Sequence, residues 1–530
     1  MVFLRVKIQN KKQGKMMNRG MIKLSVVTML MGTSLMAGGD IVPAEPQVMA
    51  AKSVKPKRQL RGNMTLKYNV LPGSADSIHD MFSQGVFYGR LRTNTFYWQW
   101  SDTSVANGSL SNKANKNMGI GGSLIYKSAA YKNFSFTLGY YGSLNPEFWR
   151  PNSVDVGLAK AGKDTFSRYK VSNGDGYGMH TLGQGFLEYN NGTVDVRAGR
   201  QLFESVFTKS NDTKMIPNTF DGVSTAIKVA PKSKFRLAWF GAQKLRDHEN
   251  SHDVITFKNG AGNSWGNNDD AGKHKGLSYA NFVAAGKSTR HDMFVADFST
   301  KYIKNLKFAL SYLQIPGVVK DVVAEAHYKI PVSESGWAVR PGVRYFYQMD
   351  DGAAAVAGDT NLAGKPATTN GYNSGVATSI DSSLLNARLD ILMPNKKGFF
   401  RLAYSKVSDK ADILAPWRGF PTGGFTRAMG QYNWYANTQT FMVRAVYKFN
   451  STWKASIRYA IQNFDDNKDF VAADSNVIHI DTWTNITKNL QMRMRYANVA
   501  VKSNTAKIHA GGTKQDKSYN EFRLEFNYLF

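Results

Sequence analysis

From about residue 83 onward, apolar side chains recur at every second position, the period of a strand with two unlike faces. In 453–462, Trp453, Ala455, Ile457, Tyr459 and Ile461 fall on one face, and Lys454, Ser456, Arg458 and Gln462 on the other. Residues 438–449 alternate in the same way, and Asn450-Ser451-Thr452 joins the two segments in a predicted tight hairpin. The unit recurs in 119–129 with 132–142, 179–189 with 194–203, 219–229 with 235–245, and 292–300 with 306–314. It recurs again in 319–330 with 337–348, 384–393 with 399–406, and 477–486 with 490–501. Adding 86–100 at the start and 518–530 at the end predicts about 18 strands.

The connections fall into two sets. Within each hairpin the link is short and turn-like. Between hairpins the links are long and polar: 101–116, 144–178, 246–290, 349–379, 409–436 and 503–515. This asymmetry predicts an all-β fold, a transmembrane antiparallel β-barrel with short periplasmic turns and long external loops. Closure is what a bilayer demands, because every backbone N–H and C=O in hydrocarbon needs a partner. A soluble β-sandwich would also alternate. Its strands, however, usually run about 5–6 residues, and these run about 10–14, enough for a tilted crossing. Aromatic residues at strand ends (Phe96, Tyr97, Trp98 and Trp100; Tyr345 and Tyr347; Tyr447, Phe449 and Trp453) match interfacial girdles. No run of about 20 apolar residues exists to make a helical span.

The two ends read differently from the barrel region 83–530. A basic start, the apolar stretch 24–31 and small residues up to Ala37 predict a secretory signal peptide over 1–37, with Met17 or Met21 as an alternative start. Residues 38–82 read as a periplasmic N-terminal lead, with a helical turn expected within 75–85. At the other end Phe522, Leu524, Phe526, Tyr528 and Phe530 alternate with Arg523, Glu525 and Asn527. Such a closing strand is what barrel-assembly machinery reads.

Composition adds charge to this picture. Lys and Arg number 68 against 39 Asp and Glu, a formal charge of +29. Seven of the basic residues precede residue 38, so most of the excess belongs to the exported part. If the apolar face meets lipid, the other face lines the lumen. That register collects Arg90, Arg92, Arg340, Arg344, Arg388, Arg401, Arg444, Arg458, Arg493, Arg495 and Arg523. Stacked into a basic ladder, permanently charged guanidiniums would offer successive shallow sites to carboxylate or phosphate groups. Alternatively they pair with Glu325, Asp390, Asp481 and Glu525 and brace the wall.

The segment Ser210-Asn211-Asp212-Thr213-Lys214-Met215-Ile216-Pro217, followed by Phe220-Asp221-Gly222, is the other distinctive feature. With the signal peptide, the strand pattern and the terminal Phe530, it resembles the OprD-type (Opr family) outer-membrane porins. Those carry an Asp-Ser-Arg-Leu-Leu-Pro-like motif and then an aromatic-Xaa-Gly just before a strand. Phe87-Tyr88-Gly89-Arg90-Leu91-Arg92, Ala411-Asp412-Ile413 and Trp417-Arg418-Gly419-Phe420-Pro421 are also similar to that group. The resemblance spans about 80–530. It implies 18 strands, a narrow pore, and a constriction made by inward-folded third and seventh loops opposite a basic ladder. The inward loop would be 203–218, with Asp212, Lys214, Met215, Ile216 and Pro217 as its constriction residues, and 409–436 its partner. Asp212 would face the arginines. Lys214 stands where the family often has Arg, and an ammonium lacks the bidentate fork.

Other signals are weaker. His248 and His252, four apart, lie in a polar loop without helical patterning, which favours a solvated loop over a metal site. Asp465-Asp466-Asn467-Lys468-Asp469 and Asn267-Asn268-Asp269-Asp270 lack EF-hand spacing and read as loop tips. Gly119-Ile120-Gly121-Gly122 reads as strand glycines that permit close packing. There is no cysteine, and no nucleophile-elbow or P-loop motif. The dispersed arginines do not form a nucleic-acid patch. The expectation is therefore a non-enzymatic porin in the outer membrane of a Gram-negative bacterium. It would need no cofactor, metal or catalytic residue. Its partners would be membrane lipid and lipopolysaccharide, small anionic or carboxylate-bearing solutes, the assembly machinery at the C-terminal strand and, as one assembly open to it, a homotrimer. The alternative is a barrel that acts through its loops as an adhesin or surface-binding protein.

Overall fold

The computed structural model describes residues 58–62, 64–70, 72–101, 115–158, 165–258, 277–357, 379–414, 424–430, 434–466, 472–502 and 517–530. The signal-peptide reading, the first part of the lead (38–57), Asn267–Asp270 and the Trp417–Pro421 motif lie outside the described residues.

Eighteen antiparallel strands close into a barrel. They are β1 (Val86–Trp100), β2 (Lys116–Lys127), β3 (Phe134–Leu144), β4 (Met179–Asn190), β5 (Val194–Gln201) and β6 (Thr219–Ala230). Then come β7 (Ser233–Lys244), β8 (Met293–Thr300), β9 (Leu306–Ile315), β10 (Val319–Tyr328), β11 (Ala338–Asp350) and β12 (Ser382–Leu392). The last six are β13 (Gly398–Val407), β14 (Gln439–Lys448), β15 (Trp453–Asn463), β16 (Ser475–Asn485), β17 (Leu490–Val501) and β18 (Tyr519–Leu529). Each pairs with its sequence neighbours, and β18 closes on β1 from Tyr519↔Trp100 to Leu529↔Arg90. Phe530 adds one further rung: its N–H donates to the Gly89 carbonyl (3.1 Å), and its own carbonyl accepts from the Gly89 N–H (2.9 Å). No sheet edge remains in the ring, as hydrocarbon requires.

The period-two pattern sets which side chains face out. Leu91, Leu124, Leu138, Leu187, Leu310, Leu402, Val443, Ile457 and Phe522 are exposed on the lipid face. Their inward neighbours, such as Arg92, Ser123, Thr137, Glu188, Ser311, Arg401, Arg444, Ser456 and Glu521, are buried. Phe449 and Trp453 stack at one periplasmic turn, ring centroids 4.1 Å apart, as part of an interfacial girdle.

Two expectations are corrected. The external connections are not all long, since only Pro316, Gly317 and Val318 link β9 to β10. Gly317 takes a positive φ of 75°, which lets so short a turn close. Nor does the whole lead stay outside the barrel. Arg58–Leu60 and Leu66–Tyr68 pair as a small hairpin, and its turn reaches the inward side chains of Arg90 and Arg493. The chain then leaves the lumen. Ser74–Ala75 pairs in parallel with Ala130–Tyr131 at the first periplasmic turn. The helix Ile78–Ser83 follows, capped by Ser77, whose hydroxyl accepts from the Asp80 N–H. Phe82 of this helix packs against Phe136 on the outer surface (5.1 Å).

The external half of the barrel is filled by its own loops. Phe203, Val206 and Phe207 from the third loop (202–218), Val254 and Ile255 from the fourth (245–292), and Leu414 and Trp434 from the seventh (408–438) form one apolar core with Phe346 and Leu384 of the wall. That core draws the loops into the barrel.

Candidate functional site

All eleven arginines picked out by register are on the inner face, on β1, β11–β15, β17 and β18. Their strand offsets make them directly opposed neighbours. One cross-strand row reads Arg340↔Asp390↔Arg401↔Arg444↔Arg458↔His479. A second reads Asp481↔Arg495↔Arg523↔Phe96. Barrel strands are tilted, so a row at right angles to them climbs the wall rather than encircling it. A ladder results.

Acidic residues lie among these arginines, at the four positions the pattern named. Glu325 of β10 accepts from Arg344 Nε (2.5 Å). Asp390 accepts from Arg401 Nε (2.6 Å) and Arg340 Nη2 (2.7 Å), with Arg388 Nε 3.7 Å away. Asp481 accepts from Arg458 (2.7 Å) and Arg493 (2.9 Å), and Glu525 from Arg495 (3.5 Å). Arg523 pairs with Glu521. Arg444 donates to the Ser456 hydroxyl (3.0 Å). A buried ion whose partner is a fixed, hydrogen-bonded acid avoids the cost of an isolated charge, which is why these groups interlock rather than stand apart.

The third loop crosses the interior. On one side Phe207 lies near Phe346 of β11 (6.5 Å). On the other Asp212 pairs with both Arg90 and Arg92 of β1, all three side chains being at most 1% exposed. The Asn94 amide donates to the carbonyls of Thr213 (2.9 Å) and Lys214 (3.1 Å). Lys214 Nζ sits 3.9 Å from the centroid of the Phe96 ring, a cation–π contact in place of a bidentate fork. Met215 Sδ accepts from Arg92 Nε (3.4 Å), Ile216 is fully buried, and the Pro217 carbonyl accepts from Lys244 Nζ (2.8 Å). Gly119 makes this docking possible: a Cβ there would stand 2.6 Å from Met215 Cγ. Burial pushes the Lys209 ammonium of this loop down from its ordinary value, against the pull of Glu204.

The seventh loop lies on the ladder rather than opposite it. Its Phe425 ring lies 4.5 Å from the Arg388 guanidinium and 4.9 Å from that of Arg344. The Arg427 carbonyl accepts from Arg458 Nη1 (2.8 Å), and the Met429 N–H donates to His479 Nδ1 (3.3 Å). Arg427 itself is pushed down to about 10, first by burial and then by Arg458, Arg246, Arg523 and Arg493 around it. Between them the two loops and the N-terminal hairpin touch Arg90, Arg92, Arg344, Arg388, Arg458 and Arg493. Arg340 keeps 32% of its side chain exposed, whereas Arg388, Arg401, Arg458, Arg493 and Arg495 keep 8% or less.

Some participants escaped the sequence reading. Phe425, Arg427 and Arg246 are in loops, where no period marks an inward side chain. His327 and His479 do follow strand alternation. Glu325 Oε1 lies 2.5 Å from His327 Nε2, and Asp481 Oδ2 lies 3.2 Å from His479 Nε2. The expectation of solvated histidines in the fourth loop is corrected. His248 and His252 lie 5.0 Å apart and both pack on Phe257 (4.7 and 5.2 Å), because that loop folds in with Val254 and Ile255. Asp465 is also no free tip, as it accepts from the Asn437 amide (2.8 Å). Among the described residues there is no cluster of three or more metal-ligating side chains.

A closed 18-strand barrel with its third loop drawn across the lumen is a porin-type architecture, and its fold is that of the OprD-type outer-membrane porins. Among solved structures it is similar to OpdK of Pseudomonas aeruginosa, crystallised with vanillate (TM-score 0.61, 14% identity, 85% of this chain and 99% of that one). It is also similar to OccAB3 of Acinetobacter baumannii (0.60, 13%, 84% and 99%) and a BenF-like porin of Pseudomonas fluorescens (0.59, 14%, 85% and 99%). No family model matches the sequence, and no curated protein matches it either.

Proposed function

We propose that this protein is a passive outer-membrane channel for small hydrophilic solutes, with a lumen that favours anions and carboxylates. The observation that carries the reading is the climbing row of inward arginines on consecutive strands, Arg340 through Arg458, interrupted by one acid. Guanidiniums hold their charge at any physiological pH and match the two oxygens of a carboxylate. Several weak neighbouring sites let a solute move on, where one strong site would trap it. The fold shared with porins supports a channel over an enzyme, and OpdK, a structural neighbour, was crystallised with a carboxylate, vanillate. Membrane lipid, lipopolysaccharide and the assembly machinery are the partners this placement implies. A homotrimer is an assembly open to it.

Purified protein in a planar bilayer is expected to give discrete conductance steps, with a reversal potential in a KCl gradient showing preference for chloride. Changing Arg388, Arg444 and Arg493 together to Ala is expected to move that potential toward potassium. Unmoved selectivity would refute the ladder. A folded barrel without conductance would instead favour the surface-binding alternative.

A further inference from the structure

The inward arginines are covered by three segments, the third loop, the seventh loop and the N-terminal hairpin, and the three are not equally held. The third and seventh loops are tied to the wall at both ends by strands. The hairpin Arg58–Tyr68 is tied to the described barrel at one end only, through 72–85. Yet it occupies the most telling position. Its turn closes through the Arg61 N–H donating to the Thr65 carbonyl (3.0 Å) and the Met64 N–H donating to the Arg61 carbonyl (2.7 Å). Met64 adopts φ 62°, the left-handed region, which turns its carbonyl away from the hairpin. That carbonyl accepts from Arg90 Nη1 at 2.6 Å. Met64 Sδ lies 3.9 Å from Arg493 Nη1. Met64 is 6% exposed. Tyr68 packs on Tyr88 of β1 (5.6 Å), and the Arg58 guanidinium lies 4.6 Å from the Tyr68 ring centroid.

The turn thus presents an acceptor oxygen and a soft sulfur to two guanidiniums from opposite sides of the β18 strand. Those are the groups a carboxylate would use. Arg90 also holds Asp212 through its other nitrogen, so one side chain joins the hairpin to the constriction loop. We infer that the hairpin Arg58–Tyr68 is a built-in plug at the periplasmic mouth, whose Met64 carbonyl occupies the Arg90 donor that an entering carboxylate displaces it from. This rests on the channel reading above. The parts fit a reversible plug: at the arginines it offers a peptide carbonyl and a thioether, and 58–70 contains no acid that would pin it to them.

The sequence has no cysteine, which makes a selective tether practical. The double variant Tyr68→Cys/Tyr88→Cys is to be joined with a bis-maleimide linker that contains a reducible disulfide. Single-channel conductance is recorded before and after the linker is cut with dithiothreitol, on the same folded protein. Cutting is expected to raise the mean conductance at least twofold. A chain lacking 58–70 is expected to conduct at least as well as the cut form. In the untethered full chain, sodium benzoate is expected to raise the fraction of time open at least twofold over sodium chloride of equal ionic strength. Equal conductance in tethered, cut and shortened forms would overturn the plug and leave the channel standing. Cutting that opens the pore without any benzoate effect would overturn the competition for Arg90. Silence in every form of a folded barrel would overturn the channel reading, and this inference with it.

Discussion

Arg401 and Arg444 face each other directly across the β13–β14 ladder, and Arg444 faces Arg458 across the next. Like charges in opposed positions destabilise a sheet by about 0.2–1 kcal/mol, so this placement runs against stability. Arg444→Gln is therefore expected to leave unfolding in guanidinium chloride within about 1 kcal/mol of the parent, on the stable side. The same variant is expected to lower anion preference in bilayers. A loss above about 3 kcal/mol, the scale of a broken buried pair, would mean that Arg444 holds the wall together instead.

Asp481 is the opposite case. It is fully buried, with Arg458 and Arg493 bonded to its two oxygens and Arg495 3.8 Å away. Asp481→Asn would take this counter-charge away from Arg458 and Arg493 in a buried site. The expected cost is about 3–5 kcal/mol, seen as a fall in the temperature at which the detergent-solubilised barrel loses its compact mobility on gels. Asp481→Glu, which keeps the charge, is expected to recover most of it.

The difference between these two residues marks what the sequence could disclose. Alternation puts both Arg444 and Asp481 on the inner face, because in a barrel period two leaves no third direction. It also named Asp390 and Glu325 as partners, since charges buried in one wall must find each other. It could not say how exposed the arginines stay. That depends on Phe425, Arg427 and Met64, which lie in turns and loops whose side-chain direction follows no period. The lead is the same lesson: Arg58–Tyr68 carries no alternation long enough to read, and its place inside the lumen comes from contacts with strands far along the chain. His248 and His252 read as solvated because their neighbours in sequence are polar, while Phe257, on which both pack, comes later in the loop.

Asp212 is the clasp of the third loop. Asp212→Ala removes the acid shared by Arg90 and Arg92 and leaves both cations facing a desolvated site. The loop is expected to lift from β1. Lys214, now 2% exposed, would become a trypsin site, and single-channel traces would become larger and noisier. A loop that stays resistant to trypsin at Lys214 in this variant would show that Ile216 and the Phe207 side suffice to hold it.

Acid should loosen the fourth loop. Burial pushes His252 down to about 3, with His248 adding to the effect. The unfolded or opened loop takes up a proton near the ordinary histidine value of about 6.5, while the packed ring resists it. Stability is thus fully present above about pH 6.5 and is lost as pH falls toward 3, with a limiting slope of about 1.4 kcal/mol per pH unit. Protease cleavage between 245 and 258 is expected to accelerate over that window in the parent. In His252→Phe, which keeps the ring packing and cannot take a proton, the acceleration is expected to shrink markedly.

The seam of the barrel carries the last test. Gly89 exchanges both backbone hydrogen bonds with Phe530, and a Cβ at Gly89 would stand 2.3 Å from the Ser123 carbonyl oxygen and 2.7 Å from the Phe530 ring. The ring could swing aside, but the β2 backbone that carries Ser123 is fixed by its own ladder on both sides. Gly89→Ala must then push β1 away from β2 or from β18, at the one junction that joins the chain's two ends. Deleting Phe530 removes the same rung without any clash. If the rung matters most, both variants should accumulate poorly in the membrane fraction and unfold at lower temperature by a similar amount. If the close approach of β1 to β2 matters more, Gly89→Ala should be the worse of the two, and adding the Phe530 deletion to it should cost little further. Thermal unfolding of the three proteins in detergent separates these outcomes, because neighbours that share one contact do not add.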